Sequence, residues 1–133
     1  MGHQDADAPD VDEEVEVNEG RKDDLGKTRF ELLPSDALEE IAKVLTHGAK
    51  KYADRNWERG INWSRCFGAC MRHLWSWWRG HDLDAETGLS HLAHAGCCVL
   101  FMLAYQLRGM TDFDDRERLT TRDDRALEVL NGR

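Results

Sequence analysis

The segment from about residue 89 to 108 constrains the fold more than any other part of the chain, because its pattern predicts a helix that is apolar nearly all round. Its apolar side chains include Leu92, Val99, Phe101, Leu103 and Leu107. A helix without a polar face is usually covered by other elements on all sides. The sequence therefore predicts an all-α helical bundle with this helix as its buried central member, ending at Gly109.

Two further helices are predicted from apolar residues at helical spacing. The first spans about 35 to 52, with Ser35 as its expected N-cap. The second spans about 63 to 79, and Gly80 is well placed to end it in the left-handed conformation. A weaker fourth helix is expected over 122 to 130. So few helices leave large apolar faces, which predicts self-association as a dimer or tetramer.

Charge divides the chain into three predicted regions. Residues 1 to 20 hold eight acidic residues and no Lys or Arg, so the rest of the chain carries equal numbers of acidic and basic side chains. We expect a disordered acidic tail over 1 to 24, a helical catalytic domain over 25 to 110 and a charged C-terminal extension over 111 to 133. The balanced folded part argues against nucleic-acid binding and permits a local cationic pocket.

The remaining composition predicts a cytoplasmic protein. The four cysteines, Cys66, Cys70, Cys97 and Cys98, lie in apolar helical runs and lack the spacing of a secreted disulfide framework. We expect them to be reduced and buried. The N-terminus has no signal-peptide pattern, and no apolar run reaches the length of a membrane span.

The linker between the second and third helices is the most informative stretch for chemistry. Residues 81 to 94 hold six side chains that bind metal or move protons: His81, Asp82, Asp84, Glu86, His91 and His94. His91 and His94 share one face of an apolar helix, where imidazoles without partners are costly. Either loop carboxylates satisfy both histidines and tie the loop to the bundle, or the histidines ligate or orient groups at a metal site.

The carboxylates favour Mg²⁺ or Mn²⁺ as the ion. Glu39 is better placed than Glu40 to face a site at the edge of the bundle, although Glu39 and Lys43 also have the spacing of a surface ion pair. A zinc site that combines His91 and His94 with Cys97 or Cys98 is a weaker alternative.

A second cluster, residues 50 to 59, has the parts of a nucleotide pocket. Its cations, aromatic rings and amide suit phosphate, base stacking and a base edge: Lys50, Lys51, Tyr52, Arg55, Asn56, Trp57 and Arg59. A solvated basic loop anchored by Trp57 is the alternative. No phosphate-binding glycine loop is present, so side chains and metal must hold phosphate.

Several separated motifs resemble phage dATP/dGTP diphosphohydrolases, a MazG-like family of nucleoside triphosphate pyrophosphohydrolases. The similarity covers about Lys22 to Arg108 and is carried by these motifs: Gly26–Pro34, Ala37–Tyr52, Arg55-Asn56-Trp57, Arg72-His73-Leu74, Trp77, Gly80, Asp82, Asp84, Glu86, Gly88-Leu89 and His91–Ala95. The resemblance implies a MazG-like helical fold and metal-dependent hydrolysis of a purine dNTP to dNMP and pyrophosphate. In some phages this activity supplies dGMP for 2-aminoadenine DNA.

Residues and resemblance together give a predicted site. Mg²⁺ or Mn²⁺ is held by Glu39 or Glu40 with Asp82, Asp84 and Glu86, and the catalytic set is Glu39, Glu40, His73, His91 and His94. The cations Lys50, Lys51, Arg55 and Arg72 offset charge on the phosphates, while Asn56 and Trp57 hold the purine.

Three alternatives stay open, and one is an interaction protein whose function depends on the acidic residues 1 to 20. MazG-type enzymes hold metal with ExxE and ExxD motifs, but here Lys43 follows Glu40 and the ExxD place is His91-x-x-His94. This departure favours a nucleotide-binding module, a sponge or a regulator, that does not hydrolyse its ligand. His73 with His81-Asp82 alternatively resembles the motif of HD-type phosphohydrolases.

Overall fold

The computed structural model describes residues 20 to 118 together with Val129 and Gly132. Within that part of the chain three α-helices form: α1 over Ser35–Lys51, α2 over Trp63–Trp78 and α3 over His91–Leu107. Short 3-10 helices cover Phe30–Leu32, Asn56–Arg59 and Thr111–Phe113. The described residues contain no strand, and the all-α prediction is confirmed.

The chain divides into two compact units, one ending at Leu32 and the other beginning at Leu33. The first unit, in its described part, contains the 3-10 helix Phe30–Leu32 and an exposed ion pair between Arg29 and Glu31. All three α-helices lie in the second unit. Most of the predicted acidic tail and the predicted fourth helix fall outside the described residues.

The predicted boundaries of the three helices agree with the structure to within two residues. Gly80 and Gly109, at φ of 96° and 66°, follow α2 and α3 in the predicted left-handed conformation. The predicted N-cap of α1 is wrong: Ser35 is the first helical residue, and Pro34 precedes it in an extended conformation. The Pro34 carbonyl already accepts the first helical hydrogen bond, from Leu38 N at 3.1 Å, so the helix begins one residue earlier than a Ser35 cap requires.

Two clusters of side chains form the core, and both include α3. One joins α1 to α3 through Val44, Ala93 and Cys97. Gly96 allows the close approach there, because a Cβ at that position would lie 2.9 Å from the Ile41 side chain. The other cluster centres on Trp63, Cys66 and Tyr105 and joins the start of α2 to the end of α3.

The prediction that α3 is buried all round is wrong for the single chain. Its buried side carries His91, Ala93, Ala95, Cys97 and Tyr105. The remaining surface exposes Leu92, Val99, Leu100, Leu103 and Leu107, with Leu107 77% exposed. The reason is coverage: α1 and α2 pack on part of the helix circumference and leave the rest as an apolar face.

The cysteines follow the prediction of free, largely buried thiols. Cys66, Cys70 and Cys97 are buried and Cys98 is half-buried, and none is in a disulfide. Burial raises the pKa of Cys97 to about 12 and that of Cys98 to about 11, so both stay protonated at neutral pH. Among the described helices, none is both long and apolar enough to cross a membrane.

Candidate active site

The linker from α2 to α3 folds back on itself beside the bundle. Leu83 and Ser90 form an isolated antiparallel bridge, and Asp84 N donates to Leu89 O at 2.8 Å. The linker also connects to the helix that follows, since His91 N donates to Asp82 O at 2.9 Å. The Ser90 hydroxyl caps α3 by accepting from Leu92 N at 3.1 Å. These bonds place the acidic linker against the first turn of α3.

Asp84 is the linker carboxylate that faces the bundle. One of its oxygens accepts hydrogen bonds from Glu86 N at 3.1 Å and from Thr87 N at 2.9 Å, and the Thr87 hydroxyl lies 3.2 Å away. Burial opposes ionisation of this group, but the hydrogen bonds from Thr87 outweigh it and lower the pKa of Asp84. Asp84 is therefore a fixed, ionised carboxylate at neutral pH.

Three imidazoles meet next to Asp84. His73 Nδ1 lies 2.9 Å from His91 Nδ1, and the rings of His73 and His94 stack with centroids 4.5 Å apart. His94 Nε2 lies 2.7 Å from the Thr87 hydroxyl and 3.9 Å from the Asp84 carboxylate. Burial lowers the pKa of His73 and of His94, which favours the neutral ring that accepts a proton.

These contacts test the alternative in which loop carboxylates satisfy both His91 and His94. His94 does contact a loop carboxylate and a loop hydroxyl, as that alternative expects. His91 is buried at 9% exposure, and its ring nitrogen contacts His73 of α2 rather than a loop carboxylate. The expectation that loop carboxylates satisfy both histidines is therefore wrong for His91, because α2 brings a third imidazole into reach.

A cavity of about 550 Å³ opens beside this cluster. Its polar lining comes from α1, the following loop, α2, the linker and α3: His47, Lys51, Tyr52, Arg55, Asn56, His73, Asp84, Glu86, Thr87 and His94. Its apolar lining includes Val44, Leu45, Trp57, Ile61 and Phe101. The cavity thus joins titratable groups on one side to aromatic and amide groups on another.

Lys51 and Glu86 connect α1 to the linker at the cavity. Lys51 Nζ donates to Glu86 Oε2 at 3.0 Å, and His47 Nε2 lies 3.9 Å from the same oxygen. The hydrogen bond and charge of Lys51 lower the pKa of Glu86. Both side chains are about half exposed or more, so the pair is open to solvent and to an incoming anion.

Trp57 is held as part of the core, whereas Tyr52 is open. The Trp57 ring stacks on Phe101 at 5.1 Å, the Arg108 guanidinium lies 4.9 Å from its centre, and Tyr105 Oη donates to its carbonyl at 2.7 Å. Tyr52 also lines the cavity and is 65% exposed. Of the two aromatic residues in the 50 to 59 cluster, Tyr52 has the ring that is available for stacking.

Comparison with known proteins identifies the family. The family model described as "dATP/dGTP diphosphohydrolase, N-terminal" matches residues 17 to 116. The chain belongs to this family. A dATP/dGTP diphosphohydrolase of Salmonella phage PMBT28 is 37% identical over 97 residues, which are 73% of this chain and 33% of that protein. The chain thus spans about a third of the length of the curated relative that it matches. No solved structure matches it.

The cavity of this family member brings together part of the predicted site. Eight predicted residues line it: Lys51, Arg55, Asn56, Trp57, His73, Asp84, Glu86 and His94. His91 does not line the cavity, but its ring contacts His73, which does. Five others do not line the cavity and are exposed or half-buried elsewhere: Glu39, Glu40, Lys50, Arg72 and Asp82. Their predicted roles stay untested.

Contacts explain the positions of two of these residues. Glu40 accepts a hydrogen bond from Lys43 Nζ at 2.7 Å on the exposed side of α1, so Lys43 pairs with Glu40 and not with Glu39. Asp82 uses its backbone carbonyl to anchor His91 N, and its side chain is exposed.

The two alternative metal motifs receive no support from the described residues. The possible metal ligands that gather around His73 are Asp84 and His91, not His81 or Asp82 of the HD-type motif. That group contains no cysteine.

Sequence reasoning missed several cavity residues. Thr87 and His47 were not singled out, although Thr87 lies inside the 81 to 94 stretch and His47 precedes Lys51 by one helical turn. Helical spacing from Lys51 was the available signal for His47. Nothing in the sequence identified Phe101 or Cys98 as cavity residues rather than core.

Proposed function

We propose that the chain hydrolyses purine deoxynucleoside triphosphates, dATP or dGTP, to the monophosphate and pyrophosphate. The observation that carries the proposal is the cavity in which imidazoles and an ionised carboxylate face Lys51 and an exposed aromatic ring. Its volume of about 550 Å³ falls within the range of small-molecule sites, about 300 to 1,000 Å³. The family match supports the same reaction class.

His94 has the features of a proton acceptor for water. Its ring is neutral at physiological pH, and the nearby Asp84 carboxylate stabilises the imidazolium that forms. A water oxygen bonds to the α-phosphorus while the bond from that phosphorus to the bridging oxygen breaks. The water proton goes to His94, and the electron pair leaves with pyrophosphate. Thr87 holds the His94 ring in place through Nε2, which leaves Nδ1 as the nitrogen that accepts the proton.

Cations at the cavity rim offset the charge of the phosphates. Lys51 and Arg55 line the cavity, and an incoming triphosphate competes with Glu86 for Lys51. Lys50 and Arg72 are further predicted contributors. When bound, Mg²⁺ or Mn²⁺ polarises a phosphate, and Asp84 and Glu86 are the predicted carboxylate ligands that reach the cavity.

The purine is proposed to bind at the far side of the cavity, next to the 3-10 helix Asn56–Arg59. Asn56 offers an amide to the base edge, and Trp57 forms the floor. Because Trp57 is already stacked on Phe101, we assign the stacking contact to Tyr52. Such a pocket selects the base and leaves the triphosphate beside the histidines.

Two further proposals concern the setting of the enzyme. The exposed apolar face of α3 supports a homo-oligomer, a dimer or tetramer, in which a second copy covers Val99, Leu103 and Leu107. The similarity to a phage protein supports a role in shaping the phage nucleotide pool in the host cytoplasm.

A nucleotide-binding module without turnover is the second candidate. The observation in its favour is that Glu39 and Glu40, the carboxylates predicted to hold metal on α1, do not line the cavity. Such a protein would bind a dNTP and return it unchanged.

Product analysis separates the two functions. We expect dATP or dGTP, incubated with Mg²⁺ or Mn²⁺, to give the monophosphate and pyrophosphate by chromatography, and ribonucleotides to react more slowly. His94→Gln is expected to lose most turnover, whereas His81→Gln, an exposed histidine outside the cavity, serves as the matched control. Nucleotide binding with no product from any dNTP would refute the hydrolase and establish the binding module.

A further inference from the structure

The side chains of His73, Asp84 and His91 form a compact group of metal-binding atoms. Each offers one ligand atom, and these three atoms lie within 4.8 Å of one another. They come from three parts of the chain: α2, the linker and the first residue of α3. Chelation across three elements differs from the carboxylate site predicted from the sequence, which drew on α1 and on the linker.

The spacing of these atoms suits one small ion. Metal–ligand bonds of about 2.0 to 2.2 Å separate neighbouring ligand atoms by roughly 3 to 3.5 Å in a tetrahedral or octahedral site. The two histidine Nδ1 atoms lie 2.9 Å apart and share a hydrogen bond, so an ion that replaces the shared proton needs both rings to turn toward one point. Asp84 offers a carboxylate oxygen within 4.8 Å of both nitrogens.

The surroundings hold this group in place. His91 is buried, and its backbone N–H is bonded to the linker carbonyl of Asp82. The Asp84 oxygen is fixed by the backbone N–H groups of Glu86 and Thr87. His73 is held between two rings, stacked on His94 on one side and in contact with His91. Ligands whose orientation is fixed by such partners bind metal more tightly than free side chains do.

We infer that His73, His91 and Asp84 bind one divalent transition-metal ion, with Mn²⁺ favoured over Mg²⁺. Two imidazoles and one carboxylate suit Mn²⁺, Co²⁺ or Zn²⁺, whereas Mg²⁺ takes oxygen ligands almost exclusively. The ion would lie at the wall of the cavity, because His73 and Asp84 both line it. Its role in hydrolysis rests on the proposed function, but its binding does not.

Cobalt absorption tests the ligand set directly. Chelator-treated protein is titrated with Co²⁺, and binding is followed by visible absorption and by calorimetry. We expect one ion per chain in the wild type and in His81→Gln, whose histidine lies outside the group. His91→Gln and His73→Gln are each expected to weaken Co²⁺ binding by at least about 10-fold. Asp84→Asn is expected to weaken it to the same extent. Mn²⁺ is expected to displace Co²⁺ at far lower concentration than Mg²⁺ does.

Two results would overturn the inference. One is unchanged Co²⁺ affinity in His73→Gln and His91→Gln. The other is Mg²⁺ competing as well as Mn²⁺ in the wild type. Because His91 is buried, circular dichroism must show that its variant is folded, and the half-buried His73 gives an independent variant.

Hydrolysis measured on the same samples keeps this inference and the proposed function apart. Ion binding without any dNTP turnover refutes the function and leaves the metal site. Turnover of dNTP together with unchanged Co²⁺ affinity in His73→Gln and His91→Gln refutes the metal site and leaves the function.

Discussion

Tyr105 anchors the wall of the cavity, and replacing it by Phe isolates one hydrogen bond. The Tyr105 side chain has 0% exposure, and its hydroxyl donates to the Trp57 carbonyl at 2.7 Å. Phe keeps the ring, so no large space opens in the core. The substitution removes one of two hydrogen bonds to the Trp57 carbonyl, which still accepts from Gly60 N at 3.0 Å. The loss is therefore that of one hydrogen bond, and we expect the free energy of unfolding to fall by about 1 kcal/mol.

Urea denaturation followed by circular dichroism measures this loss. With a dependence of about 1 to 3 kcal/mol per molar urea, the midpoint of Tyr105→Phe is expected to fall by about 0.5 M. Tyr52→Phe is the matched control, because Tyr52 is the other tyrosine of the chain and is 65% exposed. Its midpoint is expected to stay within a few tenths of a molar of the wild type.

Tyr105 also predicts a pH dependence of stability and an effect on substrate binding. Burial raises the pKa of Tyr105 from 10.0 to about 12. The unfolded chain loses the phenol proton first, so stability is retained below pH 10 and falls as pH rises toward 12. Tyr105→Phe should show a smaller fall, because the buried thiols of Cys97 and Cys98, with raised pKa values, still lose stability as they ionise. It should also raise the KM for dNTP, since the Asn56–Arg59 helix loses an anchor. Equal midpoints for Tyr105→Phe and Tyr52→Phe would refute this reasoning.

Three shorter predictions concern other contacts. Gly60→Ala should destabilise the fold by more than the roughly 1 to 2 kcal/mol that a positive φ costs alanine, because the added Cβ would lie 2.2 Å from the Phe113 ring. Gly80→Ala is the control for the backbone cost, since Gly80 has no neighbour within 4 Å of such a Cβ. Equal melting temperatures of the two variants would contradict the clash. The Cys98 thiol, with its pKa raised to about 11, should react slowly with a thiol reagent at pH 8 and quickly in urea; rapid native labelling would contradict its protonated state. Glu86→Gln should abolish pyrophosphate release with a nearly unchanged melting temperature, since a solvent-exposed ion pair adds little stability, and a fully active variant would remove Glu86 from the mechanism.

Local signals predicted the helices well. Apolar spacing located α1, α2 and α3, and Gly80 and Gly109 marked two of their ends. Periodicity reports which residues share a face, and glycine reports where a left-handed residue is needed. Neither signal reports how much of a helix face is covered by another element. The burial of α3 was therefore overestimated.

The candidate site was predicted only in part, because spacing along the sequence does not show how the helices pack against one another. The unpaired imidazoles at His91 and His94 indicated that polar groups must lie near them, and Asp84 and Thr87 do. The contact between His73 and His91 depends on how α2 packs against α3, which sequence spacing cannot supply. Trp57 lines the cavity, and its ring also stacks on Phe101, a contact that sequence spacing does not show.

A ligand-bound crystal structure tests the central claim most directly. With a dGTP analogue that cannot be cleaved between the α- and β-phosphates, the account predicts electron density in the 550 Å³ cavity. The phosphates should lie between Lys51 and the His94–Asp84 pair, and the base should lie against Tyr52. An analogue bound at another surface, with this cavity free of it, would contradict the account.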